Sequence, residues 1–474
     1  MQGKAAGRLA VVLGLSLGLF PPTVPAAEPS EPATRPADGP GDSPGYHLAG
    51  FAVLPADTFA DGPVSGQFIG PGPFNGRTPP FNSQPVQGFS SIIRGDAPGE
   101  FLALSDNGYG SRKNSADYLL RVYRVRPDFK TADGGTGKGT GTGTGKGTGE
   151  VIWEVAFTLS DPNRQIPWPI VADGETYPDS DVPVPDEVRE KRLLTGADLD
   201  LESFVRLPDG TFWIGDEFGP FLVHVDGQGR LLRPPVELPG EGMWSPDHPT
   251  KPAEQAKIPR TGGLESMVLV PGTRGTVQDY DMLFGILERP IAETDEAALA
   301  SWQMKTDDPD SILLTAPSPF GPWYRGTGVV GGAELLGIER VAGGDRWPAG
   351  RESHFAILER DSKEGEAAEH KQIAFATLRQ IDRVLPGGTQ LRRTGSIDLL
   401  AIPDPHDLDG DGQNTFRFPF VTIESICLVD DRTLLVANDN NYPFSTGRDP
   451  NDADHTEFIL IRFDKPLAEV AADR

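Results

Sequence analysis

The chain has 474 residues, with 69 acidic against 43 basic side chains, a formal charge of −26, 57 glycines, 46 prolines and one cysteine. A field of that sign disfavours nucleic acid and anionic membrane surfaces as partners, and a single cysteine excludes an internal disulfide. The length would suit two or three average domains, but a repeated all-β architecture can use it in one.

Residues 1–26 read as a secretory signal peptide. Lys4 and Arg8 form the positive region, Leu9 to Phe20 the short apolar run, and Val24-Pro25-Ala26 a small-residue cleavage site. No other apolar window reaches the length of a membrane span, so no span is expected once the signal is removed. Export without disulfides points to a secreted or periplasmic location. Residues 27–45, rich in Pro, Gly, Ala and Asp, read as a flexible leader, and residues 46–466 as one domain. Within it, 131–149 is a low-complexity Gly/Thr/Lys insertion. Its Gly-Lys-Gly-Thr phrase lacks the strand-to-helix setting of a phosphate-binding loop.

The remainder alternates strand-like runs with turns. Strands are expected at Phe101 to Leu104, Val151 to Leu159, Phe212 to Gly215, Leu264 to Val270, Met282 to Leu287, Phe355 to Leu358, Ile373 to Leu378, Leu434 to Ala437 and Phe458 to Phe463. Pro208-Asp209-Gly210 and Val429-Asp430-Asp431-Arg432 have hairpin-turn chemistry. Helical patterning is confined to Asp186 to Leu194 and Ala292 to Lys305. Cys427 falls in an apolar strand pattern and reads as a core thiol.

A two-strand phrase recurs. Leu201-Glu202-Ser203 leads to Gly215-Asp216-Glu217, Leu264-Glu265-Ser266 to Leu287-Glu288-Arg289, and Ile423-Glu424-Ser425 to Asn438-Asp439-Asn440. A looser copy runs from Ile338-Glu339-Arg340 to Leu358-Glu359-Arg360-Asp361, and a degenerate one from Phe89-Ser90-Ser91 to Ser105-Asp106-Asn107. The copies stand further apart than the usual blade repeat of about 40–50 residues, which requires long inter-strand insertions. This predicts an all-β fold, a β-propeller of about six blades: five recognisable units and one shared between the Leu48 to Leu54 region and the C-terminal Phe458 to Phe463 strand. Joining both termini in this way would remove the free sheet edges.

In such a ring the repeated acids converge. Candidate metal ligands are Asp106, Asn107, Glu202, Asp216, Glu217, Glu265, Glu339, Glu424, Asn438 and Asp439. So many like charges cannot remain ionised together without cations, and Ca²⁺, which takes six to eight hard oxygens, fits best. The plainer alternative is that these acids pair with Arg289, Arg340 and Arg360 or close turns. Candidate catalytic residues are Glu202, Glu265, Glu288, Glu359 and Glu424, as ligands or general base, with Arg289 and Arg360 on phosphate. Separately, Asp407-Leu408-Asp409-Gly410-Asp411-Gly412 matches the first half of an EF-hand loop, with Phe418 where the bidentate Glu would stand. Either Asp407, Asp409 and Asp411 hold a structural calcium with help from elsewhere, or they form an acidic turn. No Gly-x-Ser-x-Gly phrase and no His/Cys zinc spacing occurs.

Together with Gly215-Asp216-Glu217-Phe218-Gly219-Pro220 and Leu358-Glu359-Arg360-Asp361, these phrases resemble the phytase-like domain family, described by an esterase-like activity of phytase. The resemblance runs from about Leu48 to Phe463. It implies a β-propeller whose acid-rich sites carry phosphoester hydrolysis. The expected function is an exported, calcium-dependent phosphoesterase-like hydrolase of phosphorylated small molecules. A propeller hydrolase of another ester class, such as a metal-dependent lactonase, and a non-catalytic binding propeller with structural calcium remain open beside it.

Overall fold

The computed structural model describes residues 45–132, 147–238, 240–271, 280–291, 299–305, 308–313, 329–340, 351–379 and 390–472, for 299–305, 308–313 and several residues of other strands by backbone alone. The signal, almost all of the leader, and residues 133–146 of the Gly/Thr/Lys insertion lie outside the described residues.

Among the described residues there are five four-stranded antiparallel sheets. The first blade runs Phe89–Arg94, Phe101–Ser105, Arg121–Pro127 and Val151–Thr158; the second runs Leu201–Arg206, Phe212–Asp216, Phe221–Val225 and Val236–Glu237. The third comprises Leu264–Val270, Tyr280–Leu287, Leu299–Lys305 and Asp308–Leu313, and the fourth Val329–Arg340, Arg351–Arg360, Lys371–Arg379 and Gln390–Asp398. The fifth takes Thr422–Asp430, Thr433–Asp439 and Thr456–Phe463 from the end of the domain and Tyr46–Leu54 from its start. The first-named strand of each blade packs against its counterparts in the two neighbouring blades, and that of the fifth meets that of the first, so these five inner strands close a ring.

The fold is therefore a β-propeller, with five four-stranded blades among the described residues rather than about six. The N-terminal strand does not found a blade of its own. It pairs with Thr456–Phe463 (Tyr46 opposite Phe463, Leu54 opposite Thr456) and completes the blade to which the Glu424 unit already belongs. Residues 299–305, within the expected second helix, are a strand, because the third blade needs two outer strands to cover its face; the 292–298 part lies outside the described residues. The other expected helix is present as Asp186–Lys191.

The core is a set of apolar layers between successive blades. Strand residues point alternately to opposite faces, and a blade buried on both sides therefore needs a continuous apolar run rather than alternation. In Phe355-Ala356-Ile357-Leu358, Phe355 and Ile357 pack towards the third blade with Val268 and Phe284. Ala356 and Leu358 pack towards the fifth with Ile423, Ile426 and Val436. Trp213 fills the layer between blades two and three, and Cys427 lies buried between five and one. Pro208-Asp209-Gly210 makes the hairpin turn as its chemistry demands: Gly210 sits at φ +86°, and Leu207 N donates to Thr211 O at 2.8 Å.

Candidate functional site

In all five blades the pairing of inner and second strand slips at the same place. The register shifts fall between Phe89 and Ser91, Leu201 and Ser203, Leu264 and Ser266, Val330 and Ala333, and Ile423 and Ser425. The residues left over are Ser90, Glu202, Glu265, the pair Gly331-Gly332, and Glu424. A bulge re-aims the side chain it carries, and here it turns three glutamates towards one centre. The following serine ties the ring together: Ser203 Oγ donates to Leu264 O in the next blade at 2.7 Å, and Ser425 Oγ to Phe89 O at 2.8 Å.

The acid that follows the second strand in blades one, two and three is also fixed by backbone. Asp106 N donates to Gly88 O at 2.8 Å, Glu217 N to Asp200 O at 2.8 Å, and Glu288 N to Gly263 O at 3.1 Å. These two sets interleave into buried carboxylate groups. Oxygens of Asp200, Glu202 and Glu217 lie within 4.8 Å of one another, as do those of Glu202, Glu265 and Glu424, and those of Glu217, Glu265 and Glu288.

Arg360 enters this cluster from the fourth blade. Its Nη2 is 2.8 Å from Glu424 Oε1, 3.1 Å from Glu288 Oε1 and 3.7 Å from Glu265 Oε1. Arg289, half exposed, reaches Glu288 Oε2 at 3.2 Å. One strongly engaged guanidinium does not balance the cluster. Burial first, and neighbouring carboxylates second, hold Asp106, Glu202, Glu217 and Glu265 well above the ordinary carboxylate range. Burial likewise raises Asp200 to about 6, and raises Asp439 to about 7 with the help of Glu424. Glu288 and Glu424 are raised by burial against the opposing pull of Arg360.

Several expected ligands have other employment. Asp216, raised to about 7 by burial, accepts Asp200 N at 2.9 Å and Gly219 N at 2.6 Å, which shapes the loop behind Asp200. Asn107 donates Nδ2 to Asp200 Oδ2 at 2.6 Å, and its Oδ1 accepts from Tyr109 N and Gly110 N. Asn438 is spent on the Glu457 N–H and the His455 carbonyl. Asp439 Oδ1 caps Asn441 N at 2.8 Å, while its charge is felt by Asp106 across the centre.

The fourth blade departs most from expectation. The phrase at Glu339 is not its bulge: Glu339 pairs in register with Glu352 at the start of the second strand, the far end from Glu359. The side chain of Glu339 lies outside the described residues. The bulge is Gly331-Gly332, and no larger residue fits, since a Cβ there would lie 2.4 Å from Ile423 O and 2.1 Å from Glu424 O respectively. Glu359 is held by Arg393, with Oε2 2.8 Å from Nη1, and by His370 at 3.5 Å, outside the three carboxylate groups. The register continues one residue further (Val329 opposite Arg360), and alternation gives the inward position to Arg360.

Asp200 was not among the expected ligands. It stands two residues before Glu202, where blades one and three have Gly88 and Gly263, so no repeat marks it; its only sequence signal is the density of acids in Asp198-Leu199-Asp200-Leu201-Glu202.

Asp407, Asp409 and Asp411 gather in the loop between the paired short strands Ile402–Pro403 and Thr415–Phe416, their oxygens also within 4.8 Å. Asp407 Oδ1 accepts Gly412 N at 2.9 Å and Asp411 Oδ1 accepts Gln413 N at 2.7 Å. Phe418 is buried in the layer between blades four and five and takes no part in this loop.

The donor set of the centre is carboxylate oxygen throughout, and Glu265 Oε1 is buried and accepts no hydrogen bond. A hard divalent cation suits both features. Residues 84–442 match the model of the phytase-like family, described as esterase-like activity of phytase. No curated protein matches the chain in sequence. Among solved structures, a luciferin-regenerating enzyme is 8% identical with a TM-score of 0.29 over 78% of this chain and 76% of its own. The PQQ-bound aldose sugar dehydrogenase from Streptomyces coelicolor is 8% identical with a TM-score of 0.26 over 87% and 97%. Likeness at this level carries no inference about chemistry.

Proposed function

The chain belongs to the phytase-like family, and from that premise we propose that it is an exported, divalent-metal-dependent phosphoesterase of phosphorylated small molecules, with Ca²⁺ as the cation. The observation that carries the reading is the convergence of Asp200, Glu202 and Glu217, three buried carboxylates with oxygens within 4.8 Å. Such a group is stable in its ionised form only around a cation.

Asp200, Glu202 and Glu217 would hold the ion. When bound there, it would supply charge neutralisation and polarisation of a phosphoryl oxygen. Asn107 orients Asp200, and Asp216 fixes the Asp200 backbone, so the ligand geometry is set before substrate arrives. Arg289, the half-exposed guanidinium beside Glu288, is placed to meet an incoming phosphate through paired hydrogen bonds. Glu265, raised above the ordinary carboxylate range by burial and by Glu288 and Glu424, has an Oε1 that accepts no hydrogen bond and meets Arg360 only at ion-pair distance, so it can take the proton of an attacking water.

The test is hydrolysis of a phosphomonoester, a phosphodiester and phytate by metal-stripped protein, with and without added Ca²⁺. Phosphate release restored by calcium, and lost in Glu202→Gln and Glu265→Gln, is the expected result. No turnover on any of the three, with calcium still raising the melting temperature, would overturn the enzymatic reading and favour a calcium-stabilised binding propeller.

A further inference from the structure

Resting on that reading of the centre, we infer that Arg360 is a built-in replacement for a second cation. The site then takes one divalent ion, at Asp200, Glu202 and Glu217, and excludes another from the side formed by Glu265, Glu288 and Glu424.

Three observations meet here. First, one nitrogen, Arg360 Nη2, lies within 3.7 Å of carboxylate oxygens from blades three and five. All four side chains are at most 8% exposed. This is where the groups Glu202–Glu265–Glu424 and Glu217–Glu265–Glu288, which share Glu265, would otherwise call for an ion of their own. Among the described residues Arg360 forms no ion pair with Asp200, Glu202 or Glu217, so the remaining group is left for a metal.

Second, the satisfaction of this corner is incomplete in a telling way. Glu265 Oε1 accepts no hydrogen bond and Arg360 Nε donates none, although both are buried. A buried carboxylate oxygen without a donor, beside a point of high negative charge, is what a cation-binding corner looks like when a planar monocation fills it imperfectly.

Third, the fourth blade supplies no acid at its bulge. Gly331 and Gly332 stand there, pressed against the Ile423 and Glu424 carbonyls, and the same blade contributes the guanidinium instead. At the strand-end position that carries Asp106, Glu217, Glu288 and Asp439 in the other blades, the fourth blade thus carries a cation, Arg360. Arginine keeps its charge at any ordinary pH and, unlike an ion, does not exchange with solvent.

The experiment is equilibrium dialysis of the metal-stripped full chain against ⁴⁵Ca²⁺. Every protein carries Asp409→Asn, so that the exposed Asp407–Asp411 loop contributes no ion. The expected result is one ion per chain with Arg360 present, two in Arg360→Gln, and one again in Arg360→Gln/Glu265→Gln. One ion in both the parent and Arg360→Gln, at unchanged affinity, overturns the inference while leaving the metal-dependent reading intact. No ion in the parent but one in Arg360→Gln would overturn the single-ion site and the metal-dependent reading together, leaving Arg360 only as a group that excludes a cation. No ion in either overturns both.

Should Arg360→Gln fail to fold, Glu288→Gln decides, because it leaves Arg360 in place with Glu265 and Glu424. The single ion is then held within about 3-fold of parental affinity, whereas Glu202→Gln weakens it by about 10-fold or more. Equal loss in both would put the ion where Arg360 lies and overturn the inference.

Discussion

Gly332 and Glu424 sit on neighbouring inner strands so close together that a Cβ on the glycine would lie 2.1 Å from the glutamate's carbonyl oxygen. The contact is with backbone, which cannot swing aside as the end of a side chain could. Gly332→Ala is expected to destabilise the protein by about 3 kcal/mol or more, at the upper end of overpacking costs. Gly332→Glu, which would restore the repeated acid, is expected not to fold. Thermal unfolding of the purified variants checks both; an alanine variant as stable as the parent would refute the contact.

Ser425 ties the last inner strand to the first by donating to Phe89 O. Ser425→Ala leaves that buried carbonyl unsatisfied, and a loss of about 1–3 kcal/mol is expected. Ser203→Ala, which breaks the corresponding bond to Leu264 O between blades two and three, should cost a similar amount. Denaturant midpoints at constant slope provide the measurement.

The pH dependence of the metal-free protein follows from the raised carboxyls. Asp200 is raised to about 6, and Asp216 and Asp439 to about 7. The folded state therefore holds protons that the unfolded chain releases in the ordinary carboxylate range, near 4. Between about pH 4 and 7 the folded state binds more protons, so stability contributed by these groups is present at the acidic end and lost as the pH rises through 6 to 7. Melting temperatures in chelator should fall by several degrees from pH 5 to pH 8, since each tenfold difference in proton affinity between the folded and unfolded chain is worth about 1.4 kcal/mol. Added Ca²⁺ should flatten the fall. A melting temperature that rises over this interval in chelator would contradict the burial of these groups.

Asn107 acts through Asp200. Asn107→Ala removes the 2.6 Å bond to Asp200 Oδ2 and is expected to weaken calcium binding by about 10-fold, as loss of a ligand-orienting partner typically does. Titration calorimetry measures this directly. Asp407→Asn, in the surface loop, should leave the affinity of the central ion unchanged in the same assay.

The glutamates that converge were readable in the sequence because each sits before a serine at the head of an apolar run, and the bulge that aims it recurs with the phrase. Glu339 misled for the same reason. The phrase Ile338-Glu339-Arg340 has the right residues, but what makes an acid point inward is its register against the next strand, which sequence similarity does not encode. The true counterpart, Gly331-Gly332, has no side chain to advertise itself. Asp200 was hidden because its equivalents are Gly88, Gly263 and Thr422, and an acid that occurs once leaves no periodic trace. The sixth blade was an arithmetic consequence of giving the terminal strands a sheet of their own. The pairing of Tyr46–Leu54 with Thr456–Phe463 puts them in the sheet that the Glu424 phrase already defines.

That shared sheet has a bearing on how the molecule comes into being. Its outermost strand, Tyr46–Leu54, is synthesised first among the twenty strands of the blades, and its hydrogen-bonding partner, Thr456–Phe463, last. Until the ribosome has delivered the chain as far as residue 463, the opening strand has no ladder to join, and the carboxylates of blades two, three and five have no common axis to share. Pairings so distant along the chain are slow to form. Metal affinity should therefore appear late and all at once during biogenesis, as a property of the finished circle that no shorter intermediate possesses.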